Sequence, residues 1–480
     1  MNLDPQLNRF PDNVHHIHLM GVCGTGMGAL AAGLKDIGFH VTGSDENVYP
    51  PMSEFLAKTG IMVTAGYSPD NLEPKPDLVI VGNVIRRDNP EALGLADAAI
   101  PYVSFPQCLN HYFLSNHTSL VIAGTHGKTT TSSLLAAMLH EAGLSPGFMI
   151  GGLVRTFGSN FRVGTGSHFV VEGDEYDTAF FDKGPKFLHY RPHIAVITSI
   201  EFDHADIYSD LSAIIKSFSR LVEIMPGNGC IVACYDDPVV RDVVSNAPCR
   251  VLKYGKTENL NFSLADLDIS CGTTSFSVLK DGTIFGKFKS IMPGLHNALN
   301  ALAVIATMDT LGVSREKIIE SLPRFKGIKR RQEVRGTVCD VTIIDDFAHH
   351  PTAVRETLAA LQAAYSGQRL TAVFEPRTNS SRRSVFQKTY VSSFDHADRI
   401  LVKEPIALTN IPENERFSAR KLAADLCDRG LDAHHFSTTE DILLFLKKNA
   451  VRGDVIAILS NGGFDNIHSR LIEILKSNIG

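Results

Sequence analysis

Short apolar runs alternate with stretches of helical periodicity along most of the chain. Runs of four or five mainly apolar residues, such as Leu78–Val81, Val341–Ile344 and Val455–Leu459, end at glycine or at polar residues. Such runs are typical of strands buried in a parallel sheet. Strands that alternate with helices predict a doubly wound α/β architecture, in which the crossovers should be right-handed.

A glycine-rich loop follows the strand that ends at Val121–Ala123. In such a loop, backbone N–H groups can approach phosphate oxygens, while Lys128 adds a full positive charge and the Thr129 hydroxyl can bind Mg²⁺. Ile122 stands where the common P-loop has its first glycine, so a shorter variant is predicted. An ordinary strand–turn–helix with a surface lysine is the alternative, which the position of Gly-Lys-Thr-Thr at the junction disfavours. The loop and helix start comprise Gly124, Thr125, His126, Gly127, Lys128, Thr129 and Thr130.

The first segment has the layout of a dinucleotide-type βαβ unit. The strand His16–Met20 leads into a glycine-rich turn and a helix, and a second strand, Phe39–Ser44, ends at Asp45. An acid about 20 residues after such glycines commonly accepts a ribose hydroxyl. The glycine spacing departs from GxGxxG, so it predicts some nucleotide, with a purely structural turn as the alternative. A later strand ends at Asn83, and open α/β sheets bind ligands at such strand ends.

Acidic residues follow two strands of the second segment. Phe169–Val171 leads into Glu172, and Ala195–Ile200 leads into a group of acids that includes His204. Mg²⁺ prefers oxygen ligands, so acidic strand ends beside a phosphate loop are a sensible way to hold it. The alternative is that these acids are solvated loop residues and that His204 caps one of them.

The third segment repeats the pattern of a strand followed by charged residues. Val341–Asp346 ends in two acids, and Leu370–Phe374 is followed by Arg377. Arg331 lies in a basic linker before these strands. Both arginines are either surface charges or anion contacts, and their places beside a strand end or a domain junction favour anion contacts. Asn297 begins a helix, where it either binds a base edge or phosphate or caps the helix.

The three segments predict three domains. At 480 residues, the chain is long enough for about three domains at roughly 150 residues each. We predict an α/β protein with a Rossmann-like N-terminal domain (1–115), a central P-loop ATPase-like domain (116–330) and a C-terminal Rossmann-like domain (331–480).

Composition narrows the choice of partners. A net charge of −6 gives no electrostatic reason to expect nucleic acid. No uninterrupted apolar run approaches the roughly 20 residues that cross a bilayer, and the first ten residues lack the layout of a secretory signal. The eight cysteines are scattered, without paired metal-ligand spacing. We therefore expect a protein of the reducing cytoplasm, a monomer or weak homodimer, that binds neither nucleic acid nor membranes.

Taken together, these motifs resemble the Mur ligase family, ATP-dependent enzymes that build peptide onto UDP-N-acetylmuramic acid. The resemblance covers nearly the whole chain. Longer motifs, among them Glu175–Lys183 and Phe374–Asn379, are similar to members that join UDP-N-acetylmuramate to a murein tripeptide. The shared motifs are Gly124–Thr131, Glu172–Asp177, Asp203-His204, His296-Asn297, Arg330-Arg331 and Asp345-Asp346.

The resemblance implies a reaction in two steps and two cofactors, ATP and Mg²⁺. ATP phosphorylates the lactyl carboxylate of UDP-N-acetylmuramate, and the amine of L-alanyl-γ-D-glutamyl-meso-diaminopimelate then attacks the acyl phosphate. It further implies that Lys128 contacts the β- and γ-phosphates. Thr129 and Glu172 are expected to hold one Mg²⁺, and His204 a second.

The resemblance also implies which residues contact the substrates. The remaining ATP contacts are expected at Gly124, Thr125, His126, Gly127, Thr130, Asn297, Arg331 and Asp346. UDP-sugar contacts are expected at Gly24, Thr25, Gly26, Met27, Ser44, Asp45 and Asn83, and peptide contacts at His349 and Arg377.

Two other activities are compatible with parts of the sequence. Within the family, the alternative is a ligase that adds free L-alanine to the same nucleotide. From another class, the alternative is a nucleotide-binding regulatory protein without ligase activity. A dehydrogenase built on the first segment alone is disfavoured by the loop that carries Lys128.

Overall fold

The structure is a computed structural model that describes residues 3–50, 52–205, 207–270, 272–406 and 412–477. The chain folds into two compact units, each assembled from separate stretches of sequence. Unit 1 comprises residues 1–200, 212–254 and 306–313, and unit 2 comprises residues 201–211, 255–305 and 314–480.

The structure contains the strands predicted from the apolar runs together with others that were not predicted. In chain order they are β1 His16–Met20, β2 His40–Asp45, β3 Met62–Ala65, β4 Leu78–Val81, β5 Tyr102–Ser104, β6 Thr118–Ala123, β7 Gly147–Val154, β8 Ser159–Arg162, β9 His168–Gly173, β10 Asp177–Ala179, β11 Asp182–Pro185, β12 Ile194–Ile197, β13 Cys230–Cys234, β14 Arg250–Gly255, β15 Phe262–Ser270, β16 Thr273–Lys280, β17 Thr283–Ser290, β18 Glu333–Val338, β19 Val341–Asp346, β20 Leu370–Phe374, β21 Arg399–Lys403, β22 Asp432–Phe436 and β23 Val455–Leu459.

Most of the parallel strands are joined by α-helices. In chain order these are α1 Thr25–Asp36, α2 Met52–Lys58, α3 Pro90–Ala98, α4 Phe105–Leu109, α5 Lys128–Glu141, α6 Leu211–Glu223, α7 Pro238–Val243, α8 Leu295–Thr310, α9 Arg315–Ser321, α10 Pro351–Ala364, α11 Gln387–Tyr390, α12 Ala419–Asp428, α13 Thr439–Asn449 and α14 Ile467–Ser477. Among the described residues, none of these helices has both the length and the apolar character needed to cross a bilayer.

The first sheet of unit 1 is parallel and has the strand order β3-β2-β1-β4-β5. This is the order of a Rossmann-like sheet, whose ligand crevice lies at the carboxyl ends of the strands beside the central strand. Gly21 follows β1 with a φ of +81°, a backbone conformation that side chains with a Cβ rarely adopt. Because the glycine-rich turn before α1 follows β1, it lies at the carboxyl edge of this parallel sheet.

The second sheet of unit 1 has the order β14-β13-β12-β6-β9-β7-β8 and is parallel except for β8. The strand β6 lies between β9 and β12, with Ile122 beside Glu172 and Ala123 beside Ile197. The loops that follow β6, β9 and β12 thus leave the same edge of the sheet. This topology brings the phosphate loop and the acidic strand ends together.

Unit 2 contains an antiparallel meander, β17-β16-β15, and a second sheet in the order β18-β19-β23-β20-β21-β22. The second sheet is parallel except for β18, and apolar clusters cover both of its faces. Strand β19 ends at Asp346 and β20 at Phe374, so the polar residues after them lie at one edge. The meander and the antiparallel β18 were not predicted as such from the apolar pattern.

A buried carboxylate on α3 joins three parts of the first sheet. Glu91 is fully buried and accepts hydrogen bonds from His18 on β1 (2.8 Å), from Ser44 on β2 (2.7 Å) and from Asn71 (2.7 Å). The other imidazole nitrogen of His18 lies 2.9 Å from the Thr42 hydroxyl. Glu91 therefore fixes β1 against β2 just before the predicted nucleotide-binding turn.

Removing this carboxylate should loosen the first sheet. Glu91→Ala leaves three buried hydrogen-bonding groups without their partner, a loss of about 3 kcal/mol or more. Amide hydrogen exchange in β1 and β2 should then accelerate about 10²-fold. Asp97→Ala, which removes an exposed acid from the same helix, should leave exchange unchanged. Exchange in Glu91→Ala at the wild-type rate would contradict this role.

Candidate functional site

The phosphate loop of unit 1 is held in shape by the residues that follow β12. Gly124 has a φ of +131°, and a Cβ there would clash with the Thr198 side chain. Thr125 donates its N–H to the Ser199 carbonyl at 2.8 Å, and the Thr198 hydroxyl donates to the His126 carbonyl at 2.5 Å. Backbone groups of the loop are therefore held in a fixed arrangement, and glycine is required at the first position of the loop.

Helix α5 begins directly after this loop. Its N-cap is Gly127, with a φ of +81°, so the first N–H groups of the helix adjoin the loop without a capping side chain. The positive end of the helix dipole favours an anion there. Thr129 is half-buried and Thr130 is buried. Phosphate binding by the loop residues stays a prediction, and the geometry of the loop supports it.

Lys128 points its ammonium group back into the loop. Its Nζ donates to the Gly124 carbonyl at 2.6 Å and to both carboxylate oxygens of Glu175, at 2.8 and 2.9 Å. Burial by itself would lower the pKa of Lys128, but the charges of Glu175 and Asp174 outweigh burial and raise the pKa above its ordinary value. The loop therefore contains a protonated cation.

Carboxylates surround this cation at the end of β9. Glu172 accepts the Gly151 N–H at 2.9 Å. Asp174 forms an ion pair with Lys186 at 2.5 Å. Although burial opposes its ionisation, Lys186 and Lys128 lower the pKa of Asp174 to about 2. The strand end thus presents carboxylate oxygens next to a phosphate loop, the ligand chemistry that Mg²⁺ prefers. Metal binding by Thr129 and Glu172 stays a prediction.

The predicted UDP-sugar residues of the first sheet differ in accessibility. Gly24 and Thr25 are exposed and Gly26 is half-buried, whereas Met27 is buried. Gly24 and Thr25 are therefore accessible to a ligand, as a phosphate contact requires. The Met27 side chain belongs to the core, so a ligand contact at this position would involve its backbone.

Ser44 and Asp45 have structural partners. Ser44 is fully buried and donates to Glu91. The Asp45 carboxylate accepts the N–H groups of Cys23 at 2.8 Å and Asn47 at 2.9 Å. These contacts fix the glycine turn against the end of β2. The proposed uridine contacts of both residues stay predictions, and they would require sharing or exchange of these bonds.

Asn83 lines a cavity of about 630 Å³ within unit 1. This volume lies in the range of small-molecule sites. The cavity combines three exposed cations with an aromatic ring from the β10–β11 hairpin. Sequence reasoning missed these cations, although a basic pair three residues after Asn83 was a readable signal. The lining residues are Asn83, Val84, Ile85, Arg86, Arg87, Phe180 and Lys183.

In unit 2, three segments meet around Gln332. The buried Asn297 donates its side-chain amide to the Gln332 side chain at 3.1 Å and to the Pro293 carbonyl at 2.8 Å. Gln332 donates its N–H to Asp346 at 2.7 Å. Burial raises the pKa of Asp346 above its ordinary value. The structure thus brings Asn297 and Asp346 together through a residue that sequence reasoning missed.

Two buried polar atoms beside this chain of contacts have no hydrogen-bond partner among the described residues. They are His296 Nδ1 and Gln332 Nε2. Burial lowers the pKa of His296 to about 4, so its ring is neutral at physiological pH. Orphaned polar atoms of this kind fit a ligand with hydrogen-bonding edges. His296 belonged to a motif that carried the family resemblance, yet it was not among the predicted site residues.

Arg331 is the last basic residue of the linker. Its guanidinium group lies over the Phe347 ring, with the guanidinium carbon 4.8 Å from the ring centroid. Arg330 lies over the same ring at 5.1 Å and donates to the Ser460 and Gly462 carbonyls. Arg330 is thereby a structural residue of unit 2. The expected anion contact of Arg331 stays a prediction.

His204 and His349 lie near one buried carboxylate of unit 2. The Asp203 carboxylate accepts the His204 N–H at 2.6 Å, and the His204 ring nitrogen lies 4.0 Å from it. Although burial opposes its ionisation, the imidazoles of His204, His350 and His349 hold the pKa of Asp203 well below its ordinary value. His204 adopts a φ of +56°, which is uncommon for a residue with a side chain. Its metal contact and the peptide contact of His349 stay predictions.

Arg377 is half exposed at the end of β20. Its guanidinium lies 4.0 Å from Glu375, and its side chain packs against Gly462, where a Cβ would clash with it. Glu375 itself accepts from Ser460 at 2.6 Å and from Lys403 at 3.2 Å. Arg377 is thus held in place by the ends of β20 and β23, and its peptide contact stays a prediction.

Comparison with known families matches three successive regions of the chain. Residues 16–116 match the model described as Mur ligase family, catalytic domain. Residues 122–308 match the Mur ligase middle domain, and residues 330–462 match the Mur ligase, glutamate ligase domain.

Individual relatives cover nearly the whole chain. The UDP-N-acetylmuramate–L-alanyl-γ-D-glutamyl-meso-2,6-diaminoheptandioate ligase of Escherichia coli is 39% identical, over 95% of this chain and 97% of its own length. A UDP-N-acetylmuramate–L-alanine ligase of Acetivibrio thermocellus is 32% identical, over 94% of both chains. The crystal structure of a murein peptide ligase from Psychrobacter arcticus has a TM-score of 0.71 and 35% identity, over 96% of this chain and 99% of its own.

These matches confirm the predicted family and the three-domain α/β fold, whereas the individual domain boundaries stay predictions. The phosphate loop, the Rossmann-like first sheet and the acidic strand ends lie within the matched regions. The chain belongs to the Mur ligase family of ATP-dependent, amide-forming ligases.

Proposed function

We propose that this protein joins UDP-N-acetylmuramate to L-alanyl-γ-D-glutamyl-meso-diaminopimelate, with hydrolysis of ATP to ADP, in the recycling of murein. The main support for the proposal is the preformed phosphate loop, which contains the protonated Lys128. The relatives of the chain include ligases named for this reaction. The free cysteines among the described residues fit a reducing cytoplasm as the setting.

The chemistry explains why a phosphate loop is needed. A free carboxylate is a poor acyl donor because oxide is a very poor leaving group. Transfer of the γ-phosphoryl group to the lactyl carboxylate breaks the bond to the β-phosphate oxygen and forms an acyl phosphate and ADP. The amine of the peptide then forms the C–N bond, phosphate leaves, and the amine proton passes to solvent. The first step needs charge neutralisation and positioning, which Lys128 and the N–H groups of the loop supply.

The residues present fit Mg²⁺ at the phosphate loop. The carboxylate of Glu172 and the hydroxyl of Thr129 are hard oxygen donors on elements that leave the same sheet edge. Bound there, the ion would neutralise phosphate charge. We propose His204 for a second ion, and Asn297, Arg331 and Asp346 for contacts to the nucleoside and its phosphates. The unpartnered atoms His296 Nδ1 and Gln332 Nε2 support the proposed nucleoside contacts around Asn297.

We propose the cavity beside Asn83 for the UDP-sugar. Arg86, Arg87 and Lys183 supply positive charge for the diphosphate, and the Phe180 ring offers an apolar contact. Lys183 also pairs with Asp177 at 3.2 Å, but it is exposed enough to turn towards a ligand. The acceptor peptide carries several carboxylates, for which we propose Arg377 as a contact together with His349.

Replacing Lys128 should abolish most of the turnover. Lys128→Met removes the charge that stabilises the transferring phosphoryl group, so kcat should fall at least about 10²-fold. Release of phosphate should be measured with ATP, UDP-N-acetylmuramate and the tripeptide all present. Lys58→Met, which removes an exposed lysine of unit 1, should keep wild-type turnover. Turnover in Lys128→Met that equals the wild type would exclude Lys128 from the reaction.

The choice of acceptor separates the proposed function from its alternatives. With ATP and UDP-N-acetylmuramate, we expect kcat/KM for the tripeptide to exceed that for free L-alanine at least about 10²-fold, since the larger acceptor adds binding energy. Mass spectrometry of the product identifies the amide formed. A preference for L-alanine would favour the alternative ligase. ATP binding without product from any amine would favour a regulatory protein.

The cations of the cavity should act on one substrate only. Arg87→Ala and Lys183→Ala each remove a charge-assisted contact, so KM for UDP-N-acetylmuramate should rise about tenfold. KM for ATP should stay within twofold, as should both constants in the exposed control Arg9→Ala. An equal rise in both KM values would contradict the assignment of this cavity to the UDP-sugar.

A further inference from the structure

The ammonium group of Lys128 already has hydrogen-bond partners in the protein. An ammonium has three N–H donors. One points to the Gly124 carbonyl at 2.6 Å, and the carboxylate of Glu175 lies 2.8 and 2.9 Å from Nζ. The carbonyl contact belongs to the loop itself and holds the side chain over it. The carboxylate takes up the remaining donors of the ammonium, which a bound anion would also need.

Glu175 differs from the other two acids of its strand end. Asp174 pairs with Lys186, and Glu172 accepts the Gly151 N–H. The side chain of Glu175 is 1% exposed and contacts Nζ directly, so this pair is shielded from solvent far more than a surface ion pair. In such surroundings, burying an ammonium group without a counterion would cost considerable free energy. The pair keeps Lys128 charged and in place.

We infer that Glu175 is a placeholder for phosphate, a positioning residue whose carboxylate occupies the Lys128 contact until the triphosphate of ATP replaces it. This inference rests on the proposed function, because it assumes that ATP is the ligand of the loop. Binding of ATP is then an exchange of one anion for another on the same ammonium. The carbonyl of Gly124 keeps its contact throughout and guides the side chain to the phosphates.

An exchange has a measurable consequence. ATP must break the bond between Lys128 and Glu175, so part of the binding energy of the triphosphate is spent on that step. A neutral amide at position 175 still accepts a hydrogen bond from Lys128, but it competes with phosphate for that ammonium less well than a carboxylate does. Glu175→Gln should therefore bind ATP more tightly than the wild type.

The test is a double-mutant cycle on nucleotide affinity. Calorimetry with ATP and Mg²⁺, without the other substrates, should be run on the wild type, Glu175→Gln, Lys128→Met and the double variant. We expect three- to tenfold tighter binding in Glu175→Gln. We expect no gain from the same change when Lys128 is absent. Glu223→Gln, which removes an exposed acid of unit 1, controls for net charge and should leave affinity unchanged.

The other outcomes overturn the inference. Weaker binding in Glu175→Gln only when Lys128 is present would mean that Glu175 supports the lysine in the bound state. An equal effect in both backgrounds would mean a merely structural role. If Glu175→Gln fails to fold, a crystal structure of the wild type with Mg²⁺ and a non-hydrolysable ATP analogue decides. The Lys128–Glu175 distance should exceed 4 Å there, and a retained contact overturns the exchange.

This design separates the inference from the proposed function. A wild-type protein that binds ATP and forms the tripeptide product, but whose affinity does not rise in Glu175→Gln, contradicts only the placeholder role. A wild-type protein that neither binds ATP nor forms product contradicts the proposed function itself, and the placeholder role falls with it.

Discussion

A protonated lysine inside a loop of backbone groups is the constraint on which the central part of unit 1 depends. The loop needs glycine at position 124, where a side chain would clash with Thr198, and the parallel sheet must bring the ends of β6, β9 and β12 to one edge. Lys128 then requires anions nearby, which the end of β9 supplies. The acids of this strand end thus serve the lysine as well as any metal ion.

In the first sheet, acids hold the backbone in place. The glycine turn keeps its shape because Asp45 accepts the N–H of Cys23 and because Ser44 is anchored on the buried Glu91. Polar residues in this part of unit 1 therefore divide into those that hold the backbone and those that line the cavity, such as Asn83 with the neighbouring Arg87.

The sequence predicts what is local and leaves open what depends on distant contacts. The strands β4 and β23 end where their apolar runs end, since burial alone determines them, and the predicted role of Lys128 follows from a motif of seven adjacent residues. The pairing of Lys128 with Glu175 joins positions 47 apart, and Phe180 and Arg87 line one cavity although they are distant in the sequence. The hydrophobic periodicity of the sequence does not predict such contacts, because they depend on the order of the strands and on the length of the side chains.

Buried charges in both units follow one rule that bears on ligand binding. Lys128 is paired with Glu175, Asp174 with Lys186, and Asp203 lies among imidazoles of its own unit. A charged ligand that enters such a site exchanges partners; it does not simply fill a region of uncompensated charge. Its affinity is then the difference between two sets of contacts, and each set includes desolvation. Neutralising a protein acid can therefore strengthen the binding of an anion, even though a structure of the bound state alone would show only attractive contacts.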